Sequence, residues 1–125
     1  MTRRGFGTGL TIAAAVAYLA TAGLHATGYD SVTALAGQTT GDLATLVPML
    51  WLGFSADLVV LALVIGAVAL SPVGGRLVLA CAALCPLGAA VLQMRFVGFI
   101  PPTAILLAVT ALTLAAAAVR PAEGS

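Results

Sequence analysis

From Leu43 to Leu70 the chain reads LATLVPMLWLGFSADLVVLALVIGAVAL, and the only charged residue in that run is Asp57. A helix that crosses the hydrocarbon core of a bilayer needs about 20 consecutive, mostly apolar residues, and this stretch supplies them. Thr40-Gly41-Asp42 offers capping residues just ahead of it. Pro48 falls in its opening turns, where a missing backbone N–H costs little.

Three further spans follow on either side. Upstream, Gly28 to about Asp42 forms a polar connection, preceded by an apolar span from about Phe6 to Ala26. Downstream, Ser71-Pro72-Val73-Gly74-Gly75 has the composition of a tight turn, and a third span covers about Arg76 to Phe96. Pro101-Pro102, whose fixed φ suits a helix start, opens a fourth that ends near Val119. The fold class expected is therefore all-α, an integral membrane four-helix bundle with spans 6–26, 43–70, 76–96 and 101–119. Short turns join the spans, with one longer outer loop between the first two.

Bulk composition points the same way. Of the 125 residues, 62% are hydrophobic and 7% charged, and the mean hydropathy is +1.17. Lipid tails solvate such a chain, whereas water would aggregate it. Residues 1–125 read as a single transmembrane domain, with no room beside it for a soluble catalytic domain or a nucleic-acid module. A net charge of +1 supplies no long-range field, so nucleic acid is not an expected partner.

The arginines orient the bundle. Arg3 and Arg4 precede the first span, Arg76 lies in the turn between the second and third, and Arg120 follows the fourth. Four spans put all of these on one face, which the positive-inside rule makes cytoplasmic. Asp30 and Asp42 fall on the other face, with Arg95 close to it. The expected topology is N-in/C-in, multi-pass, with both termini cytoplasmic. Every cation is arginine, and this Ala- and Arg-rich, lysine-free composition suggests a bacterial inner membrane. Thr2-Arg3-Arg4-Gly5-Phe6 resembles a twin-arginine export signal, and Ala20-Thr21-Ala22 resembles a cleavage site. Cleavage there would leave three spans and upset the charge pattern, so the segment is read as a span.

Charges inside a membrane need an account, since one near the bilayer centre costs about 2.5–3.5 kcal/mol on insertion scales. Asp57 lies about halfway along the second span with no neutralising neighbour in sequence. Gln93 and Arg95 lie in the outer third of the third span, two residues apart, so one of them faces the bundle and the other does not. His25 closes the first span. Tyr18, Thr21 and His25 follow helical spacing on one face, and Leu50, Phe54 and Asp57 share a face of the second span, flanked by Trp51 and Ser55. These residues suggest a pocket toward the outer leaflet with an acid, an imidazole, a phenol and aromatic walls. Asp57 and His25 are its catalytic candidates if the protein is an enzyme. Tyr18, Thr21, Trp51, Phe54, Ser55, Gln93 and Arg95 are the binding candidates.

Blander roles compete with these. Asp57 and Arg95 fit a buried ion pair that fixes helix register. His25 fits contact with headgroups and water, and Trp51 and Tyr29 fit an interfacial aromatic belt. Cys81 and Cys85 share a helix face and read as packing residues, not a disulfide. Pro86 should kink the third span and free the carbonyl of Ala82. One histidine could ligate haem only with a second axial ligand from elsewhere, so no cofactor is assigned and no metal site is read. Gly74-Gly75 lacks the lysine of a phosphate-binding loop.

In length and span count the chain resembles the small multidrug resistance family of exporters. That family's membrane glutamate, midway along its first span, has no counterpart: Tyr18 and Thr21 stand there, and the acid lies on the second span. No family assignment follows. The function expected is a binding or accessory bundle, holding a lipophilic small molecule or docking on a larger membrane complex through a polar cluster in its outer half. The alternatives are a small isomerase or epoxide-opening enzyme built on an Asp/His acid–base pair, and a proton-coupled exporter. The bilayer itself and a second copy of the chain, as in a homo-oligomer, complete the expected partners.

Overall fold

The computed structural model describes residues 3–71 and 74–120. The side chains of Arg3 and Arg4, on which part of the orientation argument rests, lie outside the described residues, as do Pro72, Val73 and the segment 121–125. The described residues are helical almost throughout: α1 Arg3–Thr27, α2 Tyr29–Ala36, α3 Leu43–Leu70, α4 Arg76–Phe96 and α5 Pro101–Val119. Four segments are long and apolar enough to cross a membrane: Gly5–Ala36, Leu43–Leu70, Arg76–Phe96 and Pro101–Val119. This is the architecture of a multi-pass membrane protein. Its surface agrees, because Leu63 (66%), Leu84 (63%) and Val60 (58%) are largely exposed midway along their helices. A soluble monomer does not present so continuous an apolar surface.

The helix ends fall at punctuation visible in the chain. Between α3 and α4 the backbone takes positive φ at Gly74 (72°) and Gly75 (83°), a conformation only glycine adopts cheaply. A Cβ on Gly75 would also stand 2.4 Å from Val68 Cγ1. Pro101 and Pro102 occupy the first turn of α5. The connection after α1 departs from the expected polar loop, since Tyr29–Ala36 forms helix α2 against α3. Asp30 in its first turn suits the helix dipole, and Ala36 is buried.

Packing is uneven around the bundle. The α1 helix packs on both α3 and α5, and α5 packs on α4. The α3 and α4 helices, consecutive along the chain, barely meet, so the ring is poorly closed on that side. The core combines Leu58, Ile65 and Leu79 with small residues such as Ala14, Ala62, Ala82 and Ala116. Small side chains let helices approach closely, which drives association where lipid removes the hydrophobic advantage.

Tyr18 spans the bundle from α1 to α4. It is fully buried, and its hydroxyl donates to the carbonyl of Ala82 at 2.8 Å. That carbonyl is the one deprived of its helical donor by Pro86, four residues on. The terminal end is fastened by Arg120, which is also buried. One of its nitrogens donates to Ser71 O at 2.8 Å and another to Thr11 Oγ1 at 3.3 Å. A single guanidinium thus joins α1, the end of α3 and the end of α5.

Candidate functional site

At the α2 end the helices part around a cavity of about 390 Å³. The α1 helix contributes Thr21, Leu24 and His25, and α3 contributes Trp51 and Phe54. Gln93 of α4 and the α4–α5 turn, through Val97 and Ile100, form the opposite wall. Pro102, Ile105 and Leu106 of α5 complete it. Its size lies within the range of small-molecule sites, and the character is usual for them: apolar walls with a few polar atoms.

One of those polar atoms belongs to His25, whose ring is held on three sides. The Trp51 indole stacks on it with centroids 3.9 Å apart and planes 18° apart. The Phe54 ring meets it edge-on at 4.9 Å. Its Nδ1 lies 2.9 Å from Ser55 Oγ. Trp51 is fixed in turn, because its Nε1–H donates to the backbone carbonyl of His25 at 2.8 Å. Gly28 permits this arrangement: a Cβ there would come within 2.7 Å of Trp51 Cζ2.

Ser55 has one hydroxyl proton and two acceptors within reach, His25 Nδ1 and the carbonyl of Trp51 at 3.3 Å. If the proton goes to Trp51, Nδ1 donates to Ser55 and Nε2 carries a lone pair. If it goes to Nδ1, Nε2 carries the ring proton. In either arrangement Nε2 is the remaining polar atom of the ring, and it has no hydrogen-bond partner among the described residues.

Gln93 supplies the second polar group. Its Oε1 accepts from Thr103 Oγ1 at 2.9 Å, and that hydroxyl oxygen also receives the Ile100 N–H at 3.4 Å. This arrangement spends the Thr103 hydroxyl proton on the amide oxygen. It leaves the NH₂ group of Gln93, with two donors, unbonded among the described residues. Thr21 spends its hydroxyl proton on the carbonyl of Ala17.

The structure distributes the candidate residues unevenly. Thr21, His25, Trp51, Phe54 and Gln93 line the cavity, and Ser55 stands behind His25 as its hydrogen-bond partner. Tyr18 belongs instead to the closed half, on the Ala82 carbonyl. Asp57 is exposed midway along α3. Arg95 is exposed at the end of α4, its guanidinium 5.5 Å from the centre of the Phe96 ring. Asp57 and Arg95 therefore form no ion pair, and Asp57 makes no contact with His25 that would couple them as acid and base. Leu50 is also exposed.

Sequence reasoning passed over Thr103, which orients Gln93, and Leu24, Ile105 and Leu106, which shape the walls. Thr103 had a signal: it is the first hydroxyl after the Pro101-Pro102 helix start, where such a side chain reaches back to exposed backbone N–H groups. The aliphatic residues had none, being chemically indistinguishable from those that face lipid. Among the described residues no group of three or more His, Cys, Asp or Glu side chains is placed to hold a metal ion. Compared with protein-family models, curated proteins and solved structures, the chain finds no match in any of the three.

Proposed function

We propose that the protein is a binding bundle of a bacterial inner membrane, N-in/C-in, that holds one uncharged lipophilic molecule in the cavity at its α2 end. The observation that carries this reading is the pairing of His25 Nε2 and the Gln93 NH₂ group within otherwise apolar walls. Among the described residues the buried polar side chains bond to protein, whereas half-buried His25 and Gln93 each keep a polar group unbonded. No charged side chain lines the cavity, and a charged ligand there would lose its hydration without a counter-ion. With both termini cytoplasmic, the cavity would lie in the outer leaflet.

Trp51 is the only tryptophan of the chain and part of the wall, so it reports occupancy directly. Purified protein in a neutral detergent, titrated with the uncharged lipophilic dye Nile red, should show saturable energy transfer from Trp51 at one dye per chain. Gln93→Leu should weaken it about tenfold, the equivalent of 1.4 kcal/mol. Transfer that rises without saturating, or that saturates identically in Gln93→Leu, would overturn the reading.

The accessory role has its own support in Asp57, exposed midway along α3. A carboxyl facing hydrocarbon is costly, and a partner helix with a donor at that depth would relieve the cost.

A further inference from the structure

The cavity does not end at its polar atoms. Thr21, Leu24 and Ile105 belong both to its wall and to a second depression of about 300 Å³. This depression follows the seam between α1 and α5 toward the middle of the bundle. Its far end is bounded by Ala17 on one helix and Leu112 on the other. From Leu24 to Ala17 is seven residues, or about 10 Å of helix. Ala20 and Ala108 form its exposed rims, and a larger side chain at either position would fill it. Its one polar lining residue, Thr21, already donates to Ala17 O, so the groove presents no hydrogen-bonding proton to an occupant.

The two spaces have complementary chemistry. The cavity is lined by Gln93, which keeps two donors, and by His25, which keeps one imidazole nitrogen. The groove offers an elongated apolar depression between two helices, open to the surrounding tails. We infer that the ligand is a single-chain, uncharged lipid, with a carbonyl- or hydroxyl-bearing head between His25 and Gln93 and its alkyl chain along the α1–α5 groove. This rests on the cavity being a binding site, and it adds the class of ligand and its orientation. A carbonyl oxygen would accept from the Gln93 amide. A hydroxyl can donate to or accept from His25 Nε2, and so suits either imidazole tautomer.

Three probes test the assignment: monocaprylin and monoolein, which share a head and differ in chain length, and oleate, which keeps the long chain but carries a charge. Binding is read from Trp51 emission in the same neutral detergent. Ala108→Phe, on the exposed rim of the groove, should weaken monoolein about tenfold and monocaprylin less than about twofold, tenfold being 1.4 kcal/mol. Gln93→Leu should weaken both monoacylglycerols by the same factor, and oleate should bind wild type at least about tenfold more weakly than monoolein. Equal losses of both monoacylglycerols in Ala108→Phe, or no loss of either, would overturn the groove assignment and leave the cavity reading standing. Oleate binding as tightly as monoolein would overturn the uncharged head. No saturable binding of any of the three probes to a wild type that still saturates with Nile red would overturn this inference alone, and failure of Nile red as well would overturn the cavity reading with it.

Discussion

The two halves of this bundle use the same kinds of polar residue for opposite ends. In the half that holds the start of α1 and the end of α5, Thr11 bonds the carbonyl of Gly7, Thr113 that of Val109, Tyr18 that of Ala82, and Arg120 that of Ser71. Each donor is turned onto protein, with Leu58, Ile65 and Leu79 packed between them. In the half that carries α2, His25 and Gln93 are each bonded on one side, by Ser55 and Thr103, and open on the other. Polarity alone therefore does not mark a membrane site. A side chain held by one bond with another polar atom to spare is the better sign.

The contrast can be broken at several points. The largest effect is expected at Asp57, whose exposure assigns it to neither half. Asp57→Leu should favour insertion of the α3 span by about 2.5–3.5 kcal/mol in a translocation assay without lowering the stability of the folded bundle. A destabilised fold would mean that Asp57 has a partner and that the polar region extends deeper than Phe54. Next comes Arg120→Met, which removes the clasp of the sealed half. A loss of about 2–3 kcal/mol is expected, the scale of charge-assisted hydrogen bonds, measured by unfolding in mixed micelles. Ligand binding at the far end should survive at conditions where the variant remains folded.

Tyr18→Phe should cost about 1–2 kcal/mol by leaving the Ala82 carbonyl unpaired. In a Pro86→Ala background the carbonyl regains its helical donor, so the same substitution should cost much less. A double-mutant cycle gives the coupling, and a coupling of zero would mean that the tyrosine does not answer the proline. The smallest effect on stability is expected at Gly28→Ala, about 1 kcal/mol, since overpacking against Trp51 is partly offset by the lower unfolded-chain entropy of alanine. Because the new methyl displaces the Trp51 ring, the variant should shift Trp51 emission and weaken ligand binding out of proportion to that loss.

Much of the scaffold could be read in the chain, because the residues that end the helices are also the ones composition makes conspicuous. Gly74-Gly75 and Pro101-Pro102 are local signals, and they act locally. Helix α2 was hidden because Tyr29, Asp30, Ser31 and Thr33 look like loop residues, while its stability comes from leaning on α3. The freed carbonyl at Ala82 followed from Pro86 alone. Its donor did not, since Tyr18 lies 64 residues away in the chain and only the assembled bundle brings it there. Rotation of α3 and α4 about their axes was the least legible feature. A helix that is apolar on every side has no face that periodicity can assign to the core. That is why Asp57 and Arg95, which a simple charge argument pairs, turn outward, while the neutral Gln93 turns in. Thr21, His25, Trp51 and Phe54 were grouped from spacing on two helices, and the structure lines one cavity with them.

We propose a bundle sealed in one half and holding a single lipophilic molecule in the other. Native mass spectrometry of the protein released from nanodiscs tests it most directly. One uncharged lipid-mass adduct per chain is expected in wild type and, under conditions where it remains folded, in Ala14→Leu, an overpacked variant of the sealed half. The same adduct should be lost from the double variant His25→Leu with Gln93→Leu. An adduct retained by the double variant, or none on wild type under conditions that preserve the fold, would contradict it.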